Sequence, residues 1–318
     1  MSSTFLFEAK VRRGRIRKAL GFMKIALIVI AVIIVLIILG AVGFYIFITH
    51  PKLVSHEEAR KIEDSKDFTV GYDDWEKQEL NLTMSDGYVL HGVYIHYEGS
   101  NKYVIITHGY TYNYEGSIKY AQVFRALGYN IYMYDIRHHG YNKKMYCSMG
   151  RNESRDVVEV YNHFRTKFGS DVEIGLHGES LGAASTIMAL KGIKDANFVV
   201  ADCGFSDFKS LAQYLASSWM HLPKWFFTFP VIVCVILHQF RLDKIRPIDS
   251  LAVNTTTPCL FIHGEDDNFI PKTHAEAFFA ACRSKKQLVL FPKANHAESY
   301  VSDRKRYKDI VEQFLSEL

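Results

Sequence analysis

The chain has 318 residues, of which 48% are hydrophobic, and its formal net charge is only +4. This composition suffices for one large core, and the absence of a repeated segment excludes a solenoid. The five cysteines are odd in number and contain no C-x-x-C pair, which argues against both a zinc site of that type and a dense disulfide framework. Buried free thiols are therefore predicted.

Residues 25–48 form an apolar run without a single charge, and residues 1–24 form a basic tail before it. The basic side chains of the tail are Lys10, Arg12, Arg13, Arg15, Arg17, Lys18 and Lys24. A basic arm alone would suggest a solvated or nucleic-acid-binding segment. However, an apolar helix of this length, rising about 1.5 Å per residue, covers a hydrocarbon core of roughly 30 Å. We therefore predict a transmembrane helix over 25–48, a membrane partner and no nucleic-acid partner.

The apolar run is also too long for the core of a cleavable signal peptide, which has about 7–15 residues and a small-residue cleavage site. Its end is aromatic, with Phe44, Tyr45 and Phe47. We therefore predict an uncleaved, single-pass anchor in the cell membrane. Because positive residues flank mainly its N-terminal side, residues 1–24 are expected in the cytoplasm and the bulk of the chain outside it. The polar residues 49–76 are predicted to form a stalk.

Residues 77–318 alternate between strand-like and helix-like segments. Residues 79–84 and 88–97 alternate in side-chain type on either side of a Ser-Asp-Gly turn, which predicts an opening hairpin. Short apolar runs predict strands at 103–107, 130–134, 172–177, 198–201, 259–262 and 287–291, and helical periodicity predicts helices at 117–127, 152–168 and 183–191. This order predicts an α/β fold with a mostly parallel central sheet, helices on both faces, and ligands at the carboxyl ends of the strands.

The segment Gly178-Glu179-Ser180-Leu181-Gly182 joins a predicted strand to a predicted helix. A sharp turn of this kind holds its central residue in a strained conformation at the top of the sheet, and the two glycines avoid collisions there. Ser180 is that central residue. A serine hydroxyl is a weak nucleophile until a base accepts its proton, so Ser180 indicates chemistry only if a histidine and a carboxylate follow.

A histidine and a carboxylate do follow, each shortly after a predicted strand. They are Asp267 and His296. Because ligands of such a sheet bind where its parallel strands end, both side chains can lie near Ser180. Two other carboxylates are candidates for the same role, since Asp202 also stands at a strand end and Asp266 directly precedes Asp267.

The chain order Ser180, Asp267, His296 and the motifs around it resemble the α/β-hydrolase superfamily. The matching motifs, in family order, are His108-Gly109, Asp135-x-Arg137-x-x-Gly140, Gly178-x-Ser180-x-Gly182, His263-Gly264-x-x-Asp267-x-x-Ile270-Pro271 and His296. The resemblance covers about residues 79–318 and is closest to the membrane-anchored bacterial serine hydrolases and the Bem46-like branch. It implies an α/β-hydrolase fold without a cofactor, and family spacing favours Asp267 over Asp266.

The resemblance also implies a role for each site residue. Ser180 is the nucleophile, His296 the general base, and Asp267 the carboxylate that orients the imidazole. The backbone N–H groups of Tyr110 and Leu181 form the oxyanion hole. No metal is expected, because the adjacent histidines at 138–139 have no third ligand at a recognisable spacing.

The long excursion at about 205–256 is expected to form a helical cap over the site. Residues 225–237 are apolar, but they are too few to cross a membrane and contain Pro230. A second crossing would also place Ser180 and His296 on opposite sides of the membrane. Five cap aromatics can pack on the core, line an acyl pocket or rest on the bilayer interface. They are Trp219, Trp225, Phe226, Phe227 and Phe229.

These features predict a membrane-anchored serine hydrolase, in the first place a carboxylesterase that cleaves acyl esters through a Ser-His-Asp triad and an acyl-enzyme. The expected substrate is a small-molecule or lipid-like acyl compound. Two alternatives stay open: a serine peptidase, acyltransferase or thioesterase that uses the same triad, and a non-catalytic binding module. The sequence pattern predicts neither one natural substrate nor an oligomeric state.

Overall fold

The computed structural model describes residues 3–318 and begins with one continuous helix, α1 (Ser3–Thr49). Its 47 residues extend about 70 Å at a rise of about 1.5 Å per residue. Within the described chain, the segment Lys10–Thr49 is the one unbroken helix that is long and apolar enough to span a membrane. The predicted apolar helix is therefore present, and it continues without a break through the basic tail.

Only the last turns of α1 pack against the rest of the protein. Ala41, Phe44, Tyr45 and Ile48 are buried, whereas most apolar side chains before them are exposed. Because residues three and four positions apart share one face of a helix, these four side chains form a single stripe. The domain is therefore held directly against the end of α1.

Ten strands follow in the described chain. They are β1 (Lys77–Glu79), β2 (Leu82–Thr83), β3 (Val89–Leu90), β4 (Gly92–Ile95), β5 (Lys102–Thr107), β6 (Asn130–Tyr134), β7 (Glu173–Glu179), β8 (Phe198–Asp202), β9 (Cys259–Gly264) and β10 (Lys286–Phe291). Eight of them form one sheet in the order β1-β4-β6-β5-β7-β8-β9-β10, and β2 pairs with β3 separately. Since β4 is antiparallel to β1 and β6 and the other neighbours are parallel, the predicted mostly parallel sheet is confirmed.

Helices cover both faces of this sheet, as predicted. After α1 they are α2 (His56–Asp64), α3 (Ile118–Ala126), α4 (Arg151–Phe168), α5 (Leu181–Ala189), α6 (Phe208–Ser218), α7 (Thr228–His238), α8 (Ile248–Leu251), α9 (Thr273–Ala281), α10 (Ser299–Ser302) and α11 (Arg304–Ser316). Strand β5 shows the two layers, because Tyr103 and Ile105 join the core formed with α4 to α6, while Val104 and Ile106 join the core formed with α3 and α11.

The predicted opening hairpin is divided into four short strands. β2 and β3 pair around the expected turn, where Gly87 has a φ of 80°, and β1 pairs with β4. A Cβ atom on Gly92 would lie 2.7 Å from the carbonyl oxygen of Met133. This close approach, possible only for glycine, joins β4 to β6 and ends the regular two-stranded pairing.

Residues 49–76, predicted to be a stalk, form part of the domain surface. Helix α2 lies in this segment and begins after Ser55, whose Oγ accepts a hydrogen bond from the N–H of Glu58 at 3.1 Å. The side chains buried on its inner face are His56, Ala59 and Glu63. This polar segment therefore contains a helix with one buried face and is not only a stalk.

Candidate active site

The turn between β7 and α5 has the strained conformation that its sequence predicts. Ser180 has a φ of 55° and a ψ of −115°, which a residue with a side chain rarely adopts. A Cβ atom on Gly182 would lie 2.0 Å from the carbonyl oxygen of Thr107, and one on Gly178 would lie 2.5 Å from the carbonyl carbon of Gly182. Gly178 therefore allows β7 and α5 to approach this closely, Gly182 allows α5 to approach the end of β5, and the turn presents Ser180 at the carboxyl edge of the sheet.

The structure brings Ser180, His296 and Asp267 together at that edge. Oγ of Ser180 lies 2.9 Å from Nε2 of His296. Nδ1 of His296 lies 2.7 Å from Oδ2 of Asp267. The three residues follow the ends of β7, β10 and β9 respectively. Both distances allow hydrogen bonds, so the imidazole can accept the hydroxyl proton at Nε2 while its Nδ1–H donates to the carboxylate.

The buried Asp267 carboxylate has partners for both oxygens. Oδ1 accepts hydrogen bonds from the backbone N–H groups of Phe269 and Ile270 at 2.9 and 2.8 Å. Oδ2 faces His296 and lies 3.3 Å from Nε2 of His263. Burial alone would raise the pKa of Asp267, but its contacts with His263 and His296 outweigh that effect and lower the pKa below its usual value. Asp267 is therefore a carboxylate at neutral pH, as an acceptor for the imidazole N–H must be.

The two other carboxylates considered from the sequence have different surroundings. Asp266 is exposed. The Asp202 carboxylate accepts hydrogen bonds from the hydroxyl groups of Tyr120 and Ser299 at 3.2 and 3.3 Å, and burial raises its pKa to about 6. In the described part of the chain, Asp267 provides the one carboxylate that is hydrogen-bonded to His296.

Tyr110 and Leu181, whose backbone N–H groups are predicted to form the oxyanion hole, line the same pocket as Ser180. Leu181 is the first residue of α5, so its N–H has no acceptor within the helix. A Cβ atom on Gly109 would lie 3.4 Å from Cβ of Ser180, which shows how closely this loop approaches the nucleophile. Among residues 3–318, neither N–H donates to a backbone carbonyl. Two such donors beside the nucleophile can stabilise negative charge that develops on oxygen.

Histidines near the site hold loops in place. His108 donates from Nδ1 to the carbonyl oxygen of Gly109 at 2.7 Å and accepts at Nε2 from the N–H of Ile136 at 3.0 Å. His139 accepts at Nε2 from the N–H of Thr111 at 3.2 Å. Within residues 3–318, no group of three or more His, Cys, Asp or Glu side chains is placed to hold a metal ion.

Ion pairs with buried partners brace the loop after β6. Arg137 donates from Nε and Nη2 to both carboxylate oxygens of Asp156, at 2.6 and 2.7 Å. Asp135 Oδ2 lies 2.9 Å from Nε2 of His56 on α2. Burial lowers the pKa of His56, but its hydrogen bond to Asp135 and the nearby carboxylate of Glu115, 4.0 Å from Nδ1, outweigh burial and raise the pKa to about 9. Helix α2 is thereby tied to the loop.

Residues 115–318, which include Ser180, Asp267 and His296, match the prolyl oligopeptidase family. The chain belongs to this family. The uncharacterized protein YqkD of Bacillus subtilis (strain 168) is 28% identical over 304 residues, which cover 93% of this chain and 98% of the relative. The uncharacterized membrane protein YNL320W of Saccharomyces cerevisiae is 25% identical over 248 residues, which cover 76% of this chain and 80% of the relative.

Solved structures share the fold of this family member. The esterase Pf2001 of Pyrococcus furiosus has a TM-score of 0.65 at 23% identity, over 78% of this chain and 93% of the esterase. An acylaminoacyl peptidase of Pyrococcus horikoshii has a TM-score of 0.59 at 18% identity, over 77% of this chain and 42% of the peptidase. These similarities show the α/β-hydrolase fold. With the family match, they support an α/β serine hydrolase.

An apolar pocket with a free interior volume of about 40 Å³ borders Ser180 in this hydrolase. Its walls include three segments that are distant in the sequence: the end of α1, helix α6 and the loop after β9. Phe44 and Phe47 line it from α1, Phe208 from α6, and Phe269 from the loop. This volume lies well below the roughly 300–1,000 Å³ that is usual for small-molecule sites, so the pocket is narrow. A hydrocarbon chain next to the carbonyl that Ser180 attacks would find apolar walls here.

A polar pocket of about 270 Å³ also borders Ser180, so the two pockets meet at this residue. Its charged walls include Glu63, Lys119 and Glu179. Nζ of Lys119 lies 2.7 Å from Oε2 of Glu179. Glu63 is only 3% exposed, and its Oε2 has no hydrogen-bond partner among the described residues. Burial raises the pKa of Glu63 to about 7, although the nearby Lys119 acts in the opposite direction.

The expected cap at 205–256 contains α6, α7 and α8. Pro230 is the third residue of α7, where a missing N–H breaks no hydrogen bond of the helix. The helical stretches Lys224–His238 and Leu242–Leu251 are bent by 103° at the break between them. The cap therefore folds back on itself over the domain.

The five cap aromatics do not border the apolar pocket. Phe226 and Phe227 are buried, whereas Trp219 and Trp225 are exposed. The ring of Phe227 lies 6.5 Å from that of Phe44, behind the pocket wall. Of the three roles considered from the sequence, packing fits the buried pair. The direct lining of an acyl pocket is wrong for all five, because α1 and α6 supply those walls.

Proposed function

We propose that this chain is a membrane-anchored carboxylesterase that forms an acyl-enzyme on Ser180. The observation that carries the proposal is the position of Ser180 Oγ, 2.9 Å from Nε2 of His296 and at the junction of the apolar and polar pockets. An ester can divide in the same way, with a hydrocarbon acyl group on one side of the carbonyl and a polar alcohol on the other. The proposed substrate is a small-molecule or lipid-like acyl ester.

Acylation of Ser180 would be the first half of the reaction. His296 accepts the hydroxyl proton at Nε2 while Oγ bonds to the carbonyl carbon, and Asp267 stabilises the imidazolium. The carbonyl oxygen becomes negatively charged and is stabilised by the N–H groups of Tyr110 and Leu181. The intermediate then expels the alcohol oxygen, which takes the proton from Nε2 of His296. The products of this half are the free alcohol and an ester of Ser180.

Hydrolysis of the acyl-enzyme would repeat the same steps with water. Nε2 of His296 accepts one water proton as the water oxygen attacks the acyl carbon. Collapse of the second intermediate breaks the bond to Ser180, and His296 returns its proton to Oγ. The carboxylic acid leaves and the resting state is restored.

A serine peptidase is the second candidate, and membership of the prolyl oligopeptidase family favours it. The apolar pocket favours the ester. A peptide segment in this pocket would bury amide groups beside aromatic and aliphatic walls, and an amide without a hydrogen-bond partner costs roughly 2–7 kcal/mol. An acyl chain has no such groups.

A substrate panel tests the proposed reaction class. Purified full-length protein is assayed with esters, thioesters and aminoacyl amides that carry the same acyl group, with Ser180→Ala as the matched control. We expect the ester to have the highest Ser180-dependent kcat/KM. A preference for the amide would replace the esterase by the peptidase, and a preference for an acceptor other than water would indicate an acyltransferase. If no substrate showed Ser180-dependent turnover, the non-catalytic binding module would be the remaining alternative.

We also propose that α1 anchors the enzyme across the membrane over residues 25–48, with residues 1–24 in the cytoplasm and the hydrolase domain, residues 77–318, outside. The length and apolar surface of α1 support the crossing, and the seven basic residues before residue 25 support the orientation. The similarity to YNL320W, described as a membrane protein, is consistent with the membrane-anchored and Bem46-like branch. The branch assignment is part of the proposal.

Protease accessibility tests the orientation. Protease added to intact cells or right-side-out vesicles should cleave the domain after Thr49, because the basic flank favours the cytoplasmic side. Purified domain treated with the same protease provides the control for intrinsic sensitivity. Full protection until the membrane is permeabilised would reverse the orientation.

A further inference from the structure

The end of the proposed anchor is a wall of the apolar pocket. Phe44, Phe47 and Ile48 of α1 line the pocket together with Ser180. The hydroxyl group of Tyr110 lies 2.5 Å from the carbonyl oxygen of Phe47 and 2.9 Å from that of Ile48. The backbone N–H of Tyr110 is one of the two proposed oxyanion donors. One residue therefore connects the end of the anchor to the site of bond cleavage.

Phe47 connects the pocket with the outer surface of α1. It lines the pocket and is nevertheless 49% exposed. Its neighbour Ile46 is also 49% exposed but does not line the pocket. Val42 before Phe44 and Ile46 after it are both exposed, so the apolar surface of α1 continues across the level where Phe44 is buried. The apolar surface that would face lipid thus reaches the wall of the pocket.

Helix α7 widens this apolar surface beside α1. A Cβ atom on Gly40 would lie 3.0 Å from the ring of Phe226, so α1 and the cap are in close contact there. Tyr45 of α1 and His238 of α7 are hydrogen-bonded. The large apolar side chains that α7 leaves exposed are Ile232, Val235, Ile236 and Leu237. A contiguous apolar patch of this kind on a domain surface indicates a contact, and its continuity with α1 identifies the bilayer as the partner.

We propose that α7 and the end of α1 lie in the bilayer and that the apolar pocket takes the acyl chain of its substrate directly from the lipid phase. The substrate class is then an amphiphilic ester with a long acyl chain, whose polar alcohol part occupies the polar pocket. This inference rests on the proposed esterase function, because it names the substrate of the same site.

The neighbours Phe47 and Ile46 provide a matched pair of variants. Full-length wild type, Phe47→Ala and Ile46→Ala are reconstituted in phosphatidylcholine nanodiscs and assayed with hexadecanoyl and acetyl esters of the same alcohol. Phe47→Ala should lower kcat/KM for the hexadecanoyl ester by about tenfold or more, since it removes contacts with the chain, and change the acetyl ester by about twofold at most. Ile46→Ala should leave kcat/KM unchanged for both esters. Equal effects of the two variants, or parallel losses on both esters, would overturn the inference.

The route from the bilayer has its own measurement. Hexadecanoyl ester is placed either in the nanodiscs that contain the enzyme or in enzyme-free nanodiscs mixed with them at the same total concentration. We expect a faster initial rate when enzyme and ester share a bilayer, and equal initial rates would contradict direct uptake. If α7 instead contacts a second copy of the chain, two copies per nanodisc would be required for activity, and that result would also overturn the inference.

Turnover of the acetyl ester distinguishes a failure of the proposed role of α1 from a failure of the proposed esterase function. Ser180-dependent turnover of acetyl ester with no selective effect of Phe47→Ala would retain the esterase and reject the role of α1. Absence of Ser180-dependent turnover of both esters would reject the esterase itself.

Discussion

The two pockets that meet at Ser180 differ in chemistry. The apolar pocket is walled by aromatic side chains such as Phe47 and Phe208, whereas the polar pocket is walled by charged groups such as Lys119 and Glu179. For the proposed esterase, one side of the site must take the acyl group and the other must release the alcohol, and the two pockets offer one side of each kind. The acyl chain fits the apolar pocket because hydrocarbon gains from burial, and the alcohol fits the polar pocket because hydrogen bonds can be satisfied there.

The two pockets are alike in that each uses a segment before the predicted domain. The apolar pocket uses Phe44 and Phe47 from the end of α1, and the polar pocket uses Glu63 from α2. The end of α1 and helix α2, which both precede residue 77, therefore take part in the site.

The largest effect is expected for Ser180→Ala, which removes the group shared by both pockets. It should lower kcat by on the order of 10⁴ or more, because no other group can form the acyl-enzyme. Circular dichroism and the melting curve should match wild type, which separates lost chemistry from lost fold. Unchanged ester turnover in a folded Ser180→Ala protein would show that the pockets do not meet at the nucleophile.

Asp267→Asn should have the next largest effect, a loss of roughly 10³–10⁴ in kcat, because the amide favours the wrong imidazole tautomer. Asp266→Asn is the matched control. It changes the neighbouring, exposed carboxylate in the same loop and should have a much smaller effect. Steady-state kinetics of the two variants side by side provide the measurement. The reverse order would mean that Asp266, not Asp267, orients His296.

The features that the sequence predicts well depend on local pattern. The turn at Ser180 is encoded by Gly178 and Gly182, because a Cβ atom at either position would lie 2.5 Å or less from neighbouring backbone atoms. The parallel sheet is also predictable from local pattern, because short apolar runs alternate with segments of helical periodicity. The order of strands then places Asp267 and His296 at the same edge, so the triad follows from motif order and topology.

The walls of the pockets depend on tertiary contacts and could not be read in this way. Phe47 and Ser180, or Glu63 and Glu179, are distant in the sequence, and no local pattern connects them. Helix α2 does carry a signal, because His56, Ala59 and Glu63 have the spacing of one helical face behind the capping residue Ser55. Because residues 49–76 are polar overall, the sequence favoured a stalk and this helical face was not predicted.

The polar side can be tested through Glu63, whose pKa is raised by burial to about 7. The folded protein then binds a proton more tightly than the unfolded chain, so the contribution of Glu63 to stability is present at low pH and is lost as the pH rises from about 4.5 to 7. Glu63→Gln removes this contribution. The wild type should therefore lose roughly 1–3 kcal/mol relative to the variant across that interval.

Urea unfolding of both proteins at pH 5, 6, 7 and 8 measures this difference. Glu58→Gln on the exposed side of α2 is the control for the loss of one carboxylate. A constant difference between wild type and Glu63→Gln at all four pH values would mean that Glu63 is already ionised at pH 5. The polar pocket would then be more negatively charged than we infer.

The smallest effect is expected for Trp225→Ala, which tests how far the wall of the apolar pocket extends. Trp225 is 58% exposed and does not border the apolar pocket. Its removal should change the free energy of unfolding by no more than about 0.5 kcal/mol and leave the ratio of kcat/KM for long and short esters unchanged. A selective loss of long-chain activity would extend the pocket wall to the cap aromatics.

The central claim, that Ser180 is acylated at the junction of an apolar and a polar pocket, is tested most directly by covalent labelling. Full-length protein in nanodiscs is treated with a dodecyl and an ethyl fluorophosphonate, and the modified peptide is mapped by mass spectrometry. We expect both probes to modify Ser180, and the dodecyl probe to react faster because its chain can occupy the apolar pocket. Modification of another residue, or no modification of a protein that is otherwise folded, would contradict the claim.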